Sequence, residues 1–479
     1  MYNAHLFIGG EKIERTSLAR FAVVNPANED VLGEAPSAGA DEAAAAVDAA
    51  QRALLVWRST SAFERSNVLR RVAALIRERL VEIATLTTME VGKPLAESRI
   101  EATSAAEYFE WAAEETRRIA GYSREGRVPE SRYDVTYGPV GVVLALTAWN
   151  YPVILPARKL AMALAAGCTV IVRPAEEAPA CATALVQCCH DAGLPAGAVN
   201  LLLGAPEAIV EPLMANPVVR KVSFTGSVRV GQILIRQSAQ TVKRLTMELG
   251  GHAPFVVLKD ADMAKTVAAA TMGKFRNTGQ VCTAPSRFYV ESSVYEEFAE
   301  KMAALARAIR VGDGMEDGVQ MGPLTTKRQR DQAERLAEDA RKKGAKVVCG
   351  GARPRAFNRG YFYEPTILTE VPPDAAVMSD EPFTPIAAVV PFTDVDDAVR
   401  QANSLEAGLA AYVFSRSSGA AEDVAGRLEA GVIGINTVAV AAPEAPFGGV
   451  KASGFGSEGG VEGVREYLTP KFVHKVRVS

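Results

Sequence analysis

Cys282 is the residue best placed by its surroundings to do chemistry. It follows the polar run Asn277-Thr278-Gly279-Gln280, which lies between a helical pattern and the apolar run 287–291. Such a run reads as a loop. Lys274 and Arg276 lie just upstream and would favour the thiolate, the nucleophilic form of cysteine. The competing reading is inert packing, because a free cysteine commonly behaves as a small hydrophobe. Packing suits the other five: Cys181, Cys188 and Cys189 fall in a helical apolar pattern, and Cys168 and Cys349 border buried strands. Glu248 is the second candidate. It ends RLTMEL just before Gly250-Gly251, where a strand gives way to a tight turn. Ligand crevices of open α/β sheets lie outside the carboxyl ends of strands. A partly buried carboxylate there has a raised pKa and could act as a general base; a solvated strand-end glutamate is the plain alternative.

Two further stretches suit a phosphate-bearing ligand. In Ser223-Phe224-Thr225-Gly226-Ser227, followed by Gly231, a strand breaks into glycine ahead of a helix. That turns backbone N–H groups and a positive dipole end toward an anion. The same glycines would also serve a tight turn with no ligand, and the fuller GxGxxG fingerprint is absent. Arg173-Pro174-Ala175-Glu176 follows TVIV at another strand end, where a carboxylate could hold ribose hydroxyls. No metal site is expected. The histidines are only 5, 190, 252 and 474, with neither HExxH nor paired CxxC. In Cys188-Cys189-His190-Asp191, consecutive helical side chains point about 100° apart and cannot converge on one ion.

The elements that must hold these residues alternate. Helical patterns at 41–57 and 64–90 precede the branched runs 140–146, 169–172, 199–204 and 221–226, which are separated by helical segments at 157–166, 178–192, 206–214 and 228–238. Strand, helix, strand at this rhythm predicts a parallel sheet covered by helices. The theme returns with strands at 254–258, 287–291, 345–351, 386–392 and 410–415 and helices at 261–275, 294–309, 325–343 and 394–403. Two α/β units in succession are therefore expected. Two segments, 132–143 and 466–478, alternate like exposed strands; in the second, Phe472, Val476 and Val478 share one face and Lys471, Lys475 and Arg477 the other. Open edges of that kind are normally paired or covered, so self-association through them is expected, with a ribbon folded back on its own chain as the alternative.

Composition excludes several classes. At 479 residues, 48% hydrophobic and 23% charged, the chain is an ordinary globular protein with room for two or three domains. A net charge of −3 is too balanced for a nucleic-acid or membrane-surface binder. Six cysteines read as reduced cytoplasmic thiols rather than a disulfide framework. No signal peptide is expected, because Glu11 and Lys12 precede any long apolar run. The uncharged stretch 138–157 contains Pro139, Asn150, Pro152 and Pro156. Prolines inside a helix cost about 3 kcal/mol each, so a buried strand and loop are expected there instead of a membrane span.

The segments TAWNYP, IVRPAE, FTGS, MELGGHAPF, FRNTGQVC, EPFTP and PFGGVKASGFGSEGG, in this order and spacing, resemble the NAD(P)-dependent aldehyde dehydrogenase superfamily from about Asn25 to the C-terminus. ELGGHAPF, KFRN and the SEGG ending look most like the succinate-semialdehyde and 2-oxoglutarate-semialdehyde dehydrogenases. The resemblance implies a Rossmann-type NAD-binding domain in two pieces (1–122 and 143–249), an α/β catalytic domain (250–460) and a protruding β oligomerisation ribbon (123–142 and 461–479). It implies a homodimer or homotetramer. It also implies Cys282 as the nucleophile, Asn150 with the Cys282 N–H as the oxyanion hole, Glu248 as the base that activates water on the thioester, and Lys159 as an accessory polar residue.

For the cofactor, NAD with NADP possible, the resemblance implies contacts from Ala148, Trp149, Arg173, Glu176, Gly226, Ser227, Gly231, Leu249, Glu381 and Phe383. Glu176 would repel a 2′-phosphate. Arg173 stands where most relatives have lysine, and Thr384 where they have glycine. Arg158 and Arg276 match the arginines that clamp a distal carboxylate in the semialdehyde branch, a task suited to a planar guanidinium, and Tyr151 would line the pocket with Ile154 and Val438. A serine upstream of PFGG in the succinate enzymes is replaced here by Ala441-Ala442. The expected substrate is an ω-oxo carboxylate of four to six carbons. The competing readings are a dehydrogenase of uncharged aldehydes with both arginines structural, a cysteine hydrolase pairing Cys282 with His252, and a catalytically silent relative.

Overall fold

The computed structural model describes residues 2–477; Val478, placed on the apolar face of the ribbon above, lies outside them. Two large sheets dominate. In the first, the parallel core runs in the spatial order Val199–Leu201, Thr169–Arg173, Val142–Leu146, Val219–Gly226, Arg244–Leu249. Leu6–Ile8 and Glu11–Ile13 add antiparallel at one edge, and Gly454–Phe455 adds antiparallel at the other. The chain starts this core at Val142–Leu146, builds outward on one side, then crosses to build on the other. The reversal leaves a crevice between the carboxyl ends of Val142–Leu146 and Val219–Gly226, where this kind of sheet binds ligands.

The core strands are buried on both faces, which explains their unbroken apolar runs. The helix Ile154–Ala166 is buried from Leu155 onward, with its two charges, Arg158 and Lys159, both paired with Glu458. It begins three residues before the expected 157, because Pro156 falls in the first turn, where a missing N–H costs nothing. Gly167 ends it at φ 89°, the left-handed stop that glycine supplies.

The second sheet runs Lys346–Cys349, Thr366–Thr369, Ile386–Phe392, Pro285–Glu291, Ala253–Val257, Ala410–Phe414, Val432–Ile435. Its pairings are parallel except the first. Leu249 ends one sheet and Ala253 starts the other, so the chain changes sheets across Gly250-Gly251-His252. Close approach requires the glycines: a Cβ at Gly250 would lie 2.3 Å from Glu381 Oε2, and one at Gly251 would lie 2.8 Å from the Cys282 carbonyl oxygen.

Three expectations need correction. The segment 132–143 is not one strand: Ser131–Pro139 belongs to the ribbon, Gly141 turns at φ 128°, and Val142 enters the core of the first sheet. The ribbon piece expected from 461 opens instead as the helix Gly460–Arg465, and only Leu468–Val476 pairs with Ser131–Pro139 and, through it, Tyr122–Glu125. The helical pattern at 64–90 is two helices, Ala62–Glu78 and Leu80–Val91, and a long helix not anticipated, Leu95–Thr116, follows them. Among the described residues, no helix is long and apolar enough to cross a membrane.

Candidate active site

The loop carrying Cys282 is held in a shape that its own sequence resists. Asn277 and Thr278 have φ of 46° and 56°, followed by Gly279 at 76°. A β-branched residue in the left-handed region is strained and persists only when its surroundings fix it. Here they do. Thr278 Oγ1 donates to the Gly322 and Pro323 carbonyls, the Asn277 N–H donates to Glu97 Oε2 at 2.8 Å, and Gln280 Oε1 accepts from the Thr325 N–H at 2.9 Å. A Cβ at Gly279 would lie 2.2 Å from the Thr384 carbonyl oxygen. Cys282 emerges half-buried, while the other five cysteines are buried.

Asn150 faces this loop from the carboxyl end of the central strand. Its Nδ2 donates to the Gln280 carbonyl at 3.0 Å, and its own carbonyl accepts from Asn277 Nδ2 at 2.9 Å and Lys93 Nζ at 2.8 Å. Glu248, fully enclosed at the end of its strand, has no hydrogen-bond partner on either carboxylate oxygen. Burial, and then the charge of Glu458, raises its pKa. The Cys282 thiol is also pushed well above its usual range, first by burial and then by Glu248. That corrects the expectation that Lys274 and Arg276 would favour the thiolate: the adjacent carboxylate and the loss of water outweigh them.

Lys159, fully buried, donates to Ser223 Oγ at 3.1 Å and pairs with Glu458. Glu458 in turn accepts from Arg158 Nη1 at 3.3 Å. Burial disfavours the Glu458 charge, but Lys159 and Arg158 together hold its pKa low. Arg158 lies between the Tyr108 and Phe447 rings, 4.9 and 4.7 Å from their centroids, so much of its guanidinium is already engaged, although Nε has no partner. Arg276 is less committed. Nη2 donates to Thr283 Oγ1 at 3.3 Å, and Nε is buried without a partner. Tyr151, Glu97 and Cys282 all lie within its electrostatic reach.

The cofactor candidates gather around the crevice. Ser227 caps the helix Val228–Ser238, whose first-turn N–H groups open toward it. A Cβ at Gly231 would lie 2.7 Å from the Leu249 side chain, and one at Gly226 would lie 2.4 Å from the Phe224 ring. Arg173 is fixed to the Gly204 carbonyl at 2.6 Å and reaches Glu176 at 3.3 Å. Trp149, next to Ala148, and Phe383 meet edge to face at 5.6 Å; Phe383 sits at φ 49°. Glu381 accepts the Gly251 N–H at 3.0 Å, and burial pushes its pKa up to about 7. A capped helix start, a glycine-lined approach and a carboxylate at the far end fit a dinucleotide.

His252 does not take part in this cluster. Its Nε2 is hydrogen-bonded to the Val377 carbonyl at 3.1 Å, and the titratable group coupled to the thiol is Glu248. Lys93, Glu97, Glu101 and Glu458, which hold these groups in place, do not stand out in the sequence, and Asn277 and Gln280 stand out only as part of a loop. Glu97 and Glu101, four apart on one helix, look in sequence like an ordinary solvated acidic face.

A thiol, a buried carboxylate and an amide donor stand together beside a crevice suited to a dinucleotide, the arrangement expected of a nucleotide-dependent oxidoreductase. The aldehyde dehydrogenase family profile matches residues 13–473. The chain is 46% identical over 474 residues to 4-(hydroxymethyl)benzenesulfonate dehydrogenase of Comamonas testosteroni, covering 98% of each protein. It is 44% identical to the NADP-dependent succinate-semialdehyde dehydrogenase of Escherichia coli, covering 99% of this chain and 98% of that one. The crystal structure of succinate-semialdehyde dehydrogenase from Burkholderia pseudomallei superposes with a TM-score of 0.97 at 43% identity, over 99% of this chain and 98% of that one. The chain belongs to the aldehyde dehydrogenase family and is an NAD(P)-dependent enzyme that oxidises aldehydes.

Proposed function

We propose that Cys282 attacks the aldehyde carbon, that Asn150 and the Cys282 N–H receive the resulting oxyanion, and that Glu248 activates the water that releases the acid. Addition of sulfur creates a negative oxygen that needs fixed donors, each worth roughly 2.7–4 kcal/mol in reactions of this kind. Asn150 suits the task because its backbone carbonyl and one side-chain amide hydrogen are already tied down, leaving the other amide hydrogen to donate. Bound NAD(P)+ supplies the hydride acceptor. The thioester left on Cys282 then meets Glu248, whose unpartnered oxygens are open to a water proton and whose raised pKa suits a base near neutrality.

The substrate we propose is an aldehyde with an anionic group at its far end, first of all an ω-oxo carboxylate. The observation that carries this is Arg276: half-buried, close to Cys282, and with a buried Nε that no neighbour uses. Arg158 would contribute from the opposite side while shared with Glu458, and Tyr151 would line the path between them. A sulfonate is the second reading, favoured by the similarity to the benzenesulfonate enzyme and by Ala441-Ala442, which supply no hydroxyl where the resemblance to the succinate enzymes would place a serine. The test is NADH formation with succinic, glutaric and 2-oxoglutaric semialdehydes, a sulfonated benzaldehyde, hexanal and benzaldehyde. Preference for hexanal over every anionic aldehyde would refute the reading.

NAD is the proposed cofactor of choice, because Glu176 would repel a 2′-phosphate, with NADP accepted. The exposed Tyr122, Phe472 and Val476 of the ribbon support self-association as a dimer or tetramer; sedimentation equilibrium giving only monomer would remove that. A reducing compartment, the cytoplasm, suits a catalytic thiol.

A further inference from the structure

A buried ion pair outside the reacting groups holds the loop on which Asn150 stands. Lys93 and Glu101 are both fully enclosed, with Nζ and Oε2 2.6 Å apart. Lys93 has two further contacts: Nζ donates to the Asn150 carbonyl at 2.8 Å and lies 3.9 Å from the centroid of the Tyr151 ring. An ammonium has three hydrogens, and three targets surround this one. The second oxygen of Glu101 accepts the N–H groups of Val153 and Ile154, at 2.8 and 3.1 Å. Those are the opening N–H groups of the helix Ile154–Ala166, which has no cap of its own. A carboxylate from another helix therefore serves as its cap and complements its dipole.

We infer that Lys93 and Glu101 are positioning residues for aldehyde oxidation, clamping residues 150–154 so that the Asn150 amide is aimed at the oxyanion and the Tyr151 ring is fixed beside it. A buried ion pair is a weak device for stability, because desolvation offsets most of the attraction. This one joins neither two domains nor two sheets; its contacts run to the backbone of the catalytic loop and to an aromatic ring in the cleft. Lys93 and Asn277 Nδ2 share the Asn150 backbone carbonyl as acceptor, while the Asn150 side chain donates to the Gln280 carbonyl. Loosening it would let the donor drift from the forming oxyanion, and a misplacement of about 1 Å can cost about 100-fold in rate.

The inference rests on Asn150 being the oxyanion donor, so the experiment includes Asn150→Ala. The double variant Lys93→Met/Glu101→Gln removes both charges together while leaving an amide oxygen to cap Val153 and Ile154. Rapid mixing with NAD+ and succinic semialdehyde gives the NADH burst: its amplitude counts folded, competent sites and its rate constant reports hydride transfer. The expected result is a burst slowed about 10- to 100-fold with the amplitude per folded protein retained. A wild-type rate constant, with stability alone reduced, would overturn the inference. Should the double variant fail to fold, Glu101→Asp, which cannot span from Lys93 to both N–H groups, is expected to slow the burst about tenfold, and an unchanged rate there overturns it equally. Loss of the burst in Asn150→Ala with wild-type rates in the clamp variants refutes only this inference. An unimpaired burst in Asn150→Ala refutes the oxyanion assignment beneath it.

Discussion

Replacing Arg276 with methionine removes the guanidinium while keeping a long, flexible stem in its place. In the structure that group gives one donor to Thr283 and leaves a buried Nε unpartnered. The cost of drying it is thus already borne before substrate arrives. A carboxylate seated on it would form two hydrogen bonds to a charged partner, each netting about 1.5–3 kcal/mol. Taking the low end for both gives about 3 kcal/mol, which at about 1.4 kcal/mol per decade is roughly 100-fold. An uncharged aldehyde loses nothing of this. Steady-state kinetics with succinic semialdehyde and hexanal should show their kcat/KM ratio falling about 100-fold in Arg276→Met, mostly through KM for the semialdehyde. An equal fall for both aldehydes would refute the anchor. Arg158→Met provides the contrast. It strips Glu458 of one of two cations and takes the guanidinium from between Tyr108 and Phe447, so it should lower Tm and slow both aldehydes, shifting their ratio less than Arg276→Met does, because breaking a buried pair costs about 3–5 kcal/mol.

Cys282→Ala should abolish NADH formation, and full activity would remove the nucleophile assignment. Glu248→Gln should slow steady turnover more than the first-turnover burst; equal loss of both would contradict its role in thioester hydrolysis. Because the Glu248 charge opposes ionisation of the Cys282 thiol, the same substitution should move the alkaline rise of the burst to lower pH, and a shift to higher pH would contradict that coupling. Glu176→Gln should raise the ratio of kcat/KM for NADP+ over NAD+ about tenfold, a loss of roughly 1.4 kcal/mol of repulsion, with an unchanged ratio assigning cofactor choice to other residues.

Strand and helix alternation was legible because the core strands are buried on both faces and carry unbroken apolar runs, as in VVLAL and the VIV of TVIVR. What failed was local punctuation. Gly141 reads as one more small residue in an alternating stretch, and its turn exists because the next strand has to enter a different sheet. The helix Leu95–Thr116 was missed because its acidic residues mask the pattern: Glu101 and Glu115 are buried among alanines. Cys282 and Glu248 stand out in the sequence through loop and strand-end context. The raised thiol pKa was not, since it depends on a carboxylate 34 positions away in sequence that only the fold brings beside it. Glu458 stood within a recognised motif, yet nothing in that motif says that Lys159 and Arg158 share it.

The left-handed turn at 277–279 has a consequence for biogenesis. Its restraints come from residues 97, 150, 322, 323 and 325, so no short peptide containing Cys282 would adopt this shape unaided. A ribosome-bound or half-unfolded chain therefore exposes only an ordinary, unoriented sulfhydryl. During renaturation, catalytic competence should be the last property recovered, lagging behind the spectroscopic signs of a formed core.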